Sequence, residues 1–281
     1  VSHTRRALAI GQDQIVCLTS ESVQVQNFAG DPVEPQTFDV DWDASAAEKG
    51  GWPSFMAKEI SEEPDAVANT LRGRLGPDGS ITLPEIDGLF QNDFSLKRII
   101  FIACGTAAYS SMLGAYAIEK WSGLPVSVEL SHEFRYRDPA LDSNTLVISV
   151  SQSGETMDTL MAVRFASERG AKTLSICNTQ GATIPRESDF ILYTHAGPEV
   201  AVASTKAFLA QVVAIYLLGI FIGQHRENLS REYCEQICAD LRELPTQLVE
   251  MLEIGPRVGE IAGWMVDTRS VIFLGRNVGF P

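Results

Sequence analysis

From Arg98 onward, continuous apolar runs of strand length alternate with segments of helical periodicity, and no other feature restricts the fold of this chain so tightly. The runs predict strands over 99–103, 126–130, 146–150, 173–177 and 190–194, with helices over 106–121 and 155–169 between them. Strands that are apolar on both faces belong in a sheet covered on both sides. The expected fold class is therefore α/β, a doubly wound parallel sheet flanked by helices. Ligands of such sheets bind at the carboxyl ends of the strands.

One strand end stands out chemically. The run 145–150 passes directly into Ser151-Gln-Ser-Gly-Glu-Thr156, so strand, tight turn and helix start follow one another. The first N–H groups of a helix have no carbonyl partner and point at whatever lies above the strand end. Hydroxyls at Ser151, Ser153 and Thr156, the Gln152 amide and close backbone approach at Gly154 make a neutral donor cup suited to a phosphate monoester. A nucleotide P-loop would need a lysine after its second glycine and a wider glycine spacing, and neither is present. The competing reading is an ordinary helix cap, with one hydroxyl on one N–H and the others in water.

Two further segments could join this cup. Cys104-Gly105-Thr106 is a second donor-rich turn after a strand, and both turns open into one crevice if their strands flank the reversal of strand order. Residues 202–206, Val-Ala-Ser-Thr-Lys, enter a long helix with Ser204 and Thr205 as candidate caps and Lys206 as the nearby cation. Cys104 has no histidine close to it in sequence and reads as an inert packed thiol. Glu155 reads as a first-turn carboxylate favoured by the helix dipole. The histidines at 3, 132, 195 and 225 are scattered and assemble no triad or metal site.

Composition narrows the function. A net charge of −14 with no compensating Lys/Arg cluster argues against nucleic acid and anionic membranes as partners. Five cysteines without metal-finger spacing read as reduced thiols of a cytoplasmic protein, and Cys234 and Cys238, one helical turn apart, lack the further ligands a metal needs. Residues 207–223 carry no charge and one conventionally polar side chain, Gln211. That length is at the lower limit for crossing a bilayer, and the soluble pattern around it favours a fully buried helix. No cationic and apolar leader opens the sequence. Upstream, 1–45 reads as short β-type runs, 39–51 as a linker, and 55–75 as two helices with Pro64 opening the second. Downstream, helices are expected over 232–252 and 257–266, and a strand over 270–274.

Five stretches, ACGTAAYS, EFRYRD, SQSGETMDTL, RESD and EVAVASTKAF, occur in this order within residues 100–208. Together they resemble the glucosamine-6-phosphate synthase family, the glutamine:fructose-6-phosphate aminotransferases. The resemblance implies the end of a glutaminase-type domain over 1–45, an interdomain segment over 46–97, a first sugar isomerase (SIS) domain with C-terminal helices over 98–260, and the start of a second SIS domain over 261–281. It implies fructose 6-phosphate or glucosamine 6-phosphate as ligand, with phosphate on Ser151, Gln152, Ser153 and Thr156. Cys104, Gly105, Thr106, Val202 and Ser204 are then the other pocket residues. Many relatives carry serine where this chain has Ala107, so one phosphate donor is missing. The resemblance further implies a cytoplasmic homodimer joined through SIS domains, no cofactor and no metal. It places the glutaminase nucleophile and the sugar acid/base residues in family segments outside this chain, which leaves it without catalytic residues of its own. A non-catalytic SIS module that senses a sugar phosphate is the alternative.

Overall fold

The computed structural model describes residues 4–40, 44–91 and 94–281. Two antiparallel pairs open the chain: β1 (Arg6–Ala9) with β4 (Gln36–Asp39), and β2 (Gln14–Leu18) with β3 (Val23–Asn27). The Phe38 side chain of β4 lies against Gly181 of the following body, where the absence of a side chain leaves room for the ring. Two helices follow, α1 (Phe55–Ser61) and α2 (Glu63–Leu71). Ser54 caps α1 by accepting the Ala57 N–H, and Pro64 lies in the first turn of α2, where a missing N–H costs nothing.

The body is a parallel sheet. Among the described residues its strands are β5 (Arg98–Ala103), β6 (Val126–Leu130), β7 (Thr145–Ser151), β8 (Lys172–Cys177) and β9 (Phe190–Tyr193), in the spatial order β6-β5-β7-β8-β9. The order reverses between β5 and β7, which are hydrogen-bonded neighbours, so the two donor-rich turns lie side by side. Helices α3 (Thr106–Ser122), α7 (Lys206–His225) and α8 (Arg231–Leu252) join α2 on one face. The short α4 (Ser131–Arg137), α5 (Met157–Glu168) and the short α6 (Thr183–Glu187) cover the other.

Alternate residues of the central strands feed the two cores. Ile99, Phe101, Leu146, Ile148, Leu174 and Ile176 point to the α3/α7 side, and Ile100, Ile102 and Val147 to the α4/α5 side. Each fully buried aliphatic of this kind contributes about 1.5–3 kcal/mol relative to exposure. The expected doubly wound α/β fold is the observed one. Helix α7 is long and apolar enough to cross a membrane by length and composition, yet most of its side chains are enclosed between α2, α3 and the sheet.

Three expectations change. α4 and α6 are absent from the sequence reading because seven and five residues are too few to show a helical period. Helix α5 begins at Met157, with Thr156 as its cap, so Glu155 lies in the turn and not in the first helical turn. Residues 270–274 form no strand: Ile272, Phe273 and Leu274 are exposed, and no neighbouring strand among the described residues supplies the ladder that would define one. The last helix, α9 (Gly255–Trp264), is also exposed along its length.

Helix α7 lies close on α3 because Gly114 and Gly219 remove side chains from the contact. A methyl at Gly114 would overlap Ile215 Cγ2, and one at Gly219 would meet Ile118 Cγ1 at 2.8 Å. Gly114→Ala is expected to destabilise the chain by about 1–3 kcal/mol through overpacking, although alanine favours an isolated helix by about 1 kcal/mol. Urea denaturation measures the net effect, and a more stable variant would disprove the close α3–α7 approach.

Candidate functional site

The carboxyl ends of β5 and β7, with the loop that enters α7, enclose a cavity of about 230 Å³. Cys104 and Thr106 line it from the β5 turn, Ser151, Gln152, Ser153 and Thr156 from the β7 turn, and Val202 and Ser204 from the α7 approach. Eight of the nine sequence-predicted residues therefore share one cavity. Gly105, the ninth, is the cap residue of α3 at φ +60°, a left-handed backbone that glycine adopts without strain. It shapes the turn without lining the cavity.

Hydrogen bonds to the backbone fix the shape of the β7 turn. Ser151 Oγ accepts the Gly154 N–H at 3.0 Å, and Ser153 Oγ accepts the Glu155 N–H at 3.2 Å. Each hydroxyl spends a lone pair on the backbone, and Ser151 Oγ also lies 3.4 Å from Thr156 Oγ1. The Gln152 carbonyl accepts from the Asn178 and Thr179 N–H groups, which ties the turn to the end of β8. Gly154, at φ +66°, has no room for a side chain: a Cβ would sit 2.5 Å from Ala182 Cβ and 2.7 Å from Cys177 Sγ. Among the described residues no side chain caps α5 or α3, so both helix starts present peptide N–H groups and roughly half a positive charge each.

The third helix start is closed. Glu199 Oε1 accepts the Thr205 and Ala207 N–H groups at 3.1 Å each, and its Oε2 accepts from Ser204 Oγ at 3.1 Å. The sequence reading passed over Glu199, although an acid ahead of Ser-Thr at a helix start is a capping signal. It also passed over Glu59 of α1, which is 2% exposed and accepts the Val200 and Ala201 N–H groups at 2.6 and 3.1 Å. Those contacts span about 140 residues of sequence, so no local pattern announces them.

Lys206 is neither solvated nor free to meet a phosphate. It is 3% exposed, and its Nζ lies 2.7 Å from Glu62 Oε2. Burial raises the Glu62 carboxyl, but hydrogen bonds and charge from Lys206 and Lys58 outweigh it and hold the group below its ordinary value. A larger cavity of about 510 Å³ lies behind this pair, with Asp65, Arg72 and His195 in its walls. It contains none of the predicted ligand residues.

Cys104 departs from the packed thiol expected of it. It is partly exposed in the cavity wall, and His132 Nδ1 lies 3.9 Å from its sulfur. Ala103 of β5 pairs with Leu130 of β6, and α4 begins at the next residue, which brings His132 beside the end of β5. Glu155, expected at the helix dipole, instead accepts the Thr183 N–H at 2.7 Å and caps α6. Burial pushes the Cys177 thiol up to about 12 and raises that of Cys238.

The SIS domain family matches residues 94–221. The glutamine–fructose-6-phosphate aminotransferase of Leifsonia xyli is 61% identical over 282 residues, covering all of this chain and 46% of that protein. Its Corynebacterium glutamicum counterpart is 51% identical over 283 residues, again covering the whole chain and 45% of the protein. Among solved structures, the C-terminal domain of glucosamine-fructose-6-phosphate aminotransferase from Francisella tularensis superimposes with a TM-score of 0.77 at 36% identity. That match covers 82% of this chain and 64% of the other. The chain spans about half the length of the curated relatives it matches.

Alkylation of the native chain with iodoacetamide at pH 8 is expected to label Cys17 and Cys104, and to leave Cys177, Cys234 and Cys238 unmodified until denaturant is added. Peptide mapping reads the pattern, and labelling of Cys177 before Cys104 would contradict this geometry. Because the folded Glu62 carboxyl is held low, its contribution is full above the unfolded value and is lost as pH falls through the folded one. The melting-temperature deficit of Glu62→Gln should therefore be largest near neutral pH and shrink below about pH 5. A deficit that grows on acidification would refute the assignment.

Proposed function

Because this chain belongs to the glutamine–fructose-6-phosphate aminotransferase family, of whose members it spans just under half the length, we propose that it binds fructose 6-phosphate or glucosamine 6-phosphate in the cavity at the ends of β5 and β7. The observation that carries this reading is the convergence of two uncapped helix starts with the hydroxyls of Ser151, Ser153 and Thr156 and the Gln152 amide on one cavity. Neutral donors at the positive ends of helices suit a phosphate monoester. The sugar then extends past Cys104, Gly105 and Thr106 toward Val202 and Ser204. Ala107 in the same wall offers no hydroxyl.

In this proposal the whole protein converts fructose 6-phosphate and glutamine to glucosamine 6-phosphate and glutamate, as a cytoplasmic homodimer joined through SIS domains and serving amino-sugar biosynthesis. Residues 1–45 are the end of a glutaminase-type domain and 46–97 the interdomain segment. The first SIS domain with its C-terminal helices takes 98–260, and a second begins at 261. The chain described here is the binding half of the sugar site. Its cavity carboxylate, Glu199, is committed to three donors of its own chain and is not available as a base. Binding substrate and transition state equally lowers the concentration needed without lowering the barrier. A non-catalytic sugar-phosphate sensor is the weaker reading, because the relatives match the β-paired N-terminal region as well as the sheet domain.

Calorimetry with fructose 6-phosphate tests the site. Ser153→Ala and Thr156→Val should each weaken binding by about 1.5–3 kcal/mol, the range for hydrogen bonds to a charged group. Unchanged affinity in both variants would show that the phosphate lies elsewhere. A product assay with fructose 6-phosphate and an ammonium salt should give no glucosamine 6-phosphate from this chain alone, and sustained turnover above a blank would place acid/base chemistry within it.

A further inference from the structure

Between residues 207 and 223, α7 carries one conventionally polar side chain, Gln211, which is 2% exposed. A buried amide in an apolar helix is costly unless its hydrogen bonds are made. Here one is made within the chain: Gln211 Oε1 accepts from Ser110 Oγ of α3 at 3.1 Å. Ser110 is itself fully buried, and its one hydroxyl hydrogen is shared between Gln211 Oε1 and the Ala107 carbonyl, 2.8 Å from its Oγ, so the amide lies against the wall formed by α3. The amide nitrogen has no partner among the described residues. It is not sealed in, since the fully enclosed side-chain atoms without a partner are Ser149 Oγ, Ser175 Oγ and Thr205 Oγ1. Gln211 lines the same cavity as Thr106, Ser151 and Thr156, and its N–H groups open there.

We infer that Gln211 is a ligand-positioning residue, donating an amide N–H to an oxygen of the bound phosphosugar while Ser110 fixes the orientation of the amide. The inference rests on the binding reading above. It explains why α7 interrupts an apolar face at the one turn that reaches the cavity. Gln211→Leu removes the unpartnered amide N–H together with the Ser110 contact, and because Ser110 Oγ keeps the Ala107 carbonyl, no buried group of the fold is left unsatisfied and the replacement is nearly neutral or stabilising. A residue kept for structure alone would show the opposite.

The test compares the parent 281-residue chain with Gln211→Leu, Gln211→Glu and Thr156→Val. Each is titrated with fructose 6-phosphate and with inorganic phosphate, and its melting temperature is recorded. Gln211→Leu should bind fructose 6-phosphate about 3–10-fold more weakly at an equal or higher melting temperature. Gln211→Glu should bind it more weakly still, because a carboxylate then faces the anion. A parallel loss for inorganic phosphate places the donor on a phosphate oxygen, whereas a loss confined to fructose 6-phosphate places it on a sugar hydroxyl. The inference is overturned, and the binding site left standing, if Gln211→Leu stays within about twofold of the parent while Thr156→Val weakens binding. It is also overturned if affinity falls only together with the melting temperature. Absence of fructose 6-phosphate binding by the parent would overturn the inference and the binding reading together.

Discussion

The close packing of α7 on α3 is the contact on which the rest of this structure depends. Gly114 and Gly219 let the two helices approach, and the Ile118, Trp121 and Ile215 side chains fill the space around them and join the core that backs the sheet. Both helices begin at the carboxyl edge of that sheet. Their separation therefore sets the width of the cavity between the β5 turn and the α7 approach. A core with native density does not deform continuously, so a cavity built on this contact inherits its rigidity.

The electrostatics of the site contrast with those of the molecule. The chain carries a net charge of −14, and among the described residues no lysine or arginine lines the smaller cavity. Positive potential there comes from peptide dipoles: among the described residues the starts of α3 and α5 are left without side-chain caps, while that of α7 is filled by Glu199. A neutral donor set binds a phosphate monoester without the strong, nonselective pull of a cationic cluster, and it leaves discrimination to geometry.

The approach to α7 is fixed by long-range carboxylates. Glu59 receives the Val200 and Ala201 N–H groups, Glu199 closes the helix start, and Glu62 holds Lys206 out of the site. In this way α1 and α2, which lie ahead of the sheet in sequence, position a loop that lines the cavity more than a hundred residues later. The three carboxylates play structural parts in a site whose ligand would itself be an anion. Their charges are already matched by backbone donors or lysine.

Much of this was legible in the sequence, for local reasons. Apolar runs without alternation required a two-faced sheet, and Ser151 to Thr156 carried its own turn, donors and glycine, so strand, turn and cup could be read without knowing what lay nearby. What only the tertiary structure decided were the partners: the adjacency of β5 and β7, His132 beside Cys104, Glu155 capping α6, Lys206 buried on Glu62, and Gln211 turned toward the cavity. Residues 270–274 show the same limit, since an apolar pattern signals a capacity for strand pairing and a ladder requires a neighbour. Sequence periodicity determines which face of an element is apolar. It does not determine which distant element meets that face, because that choice is made by packing the whole core at once.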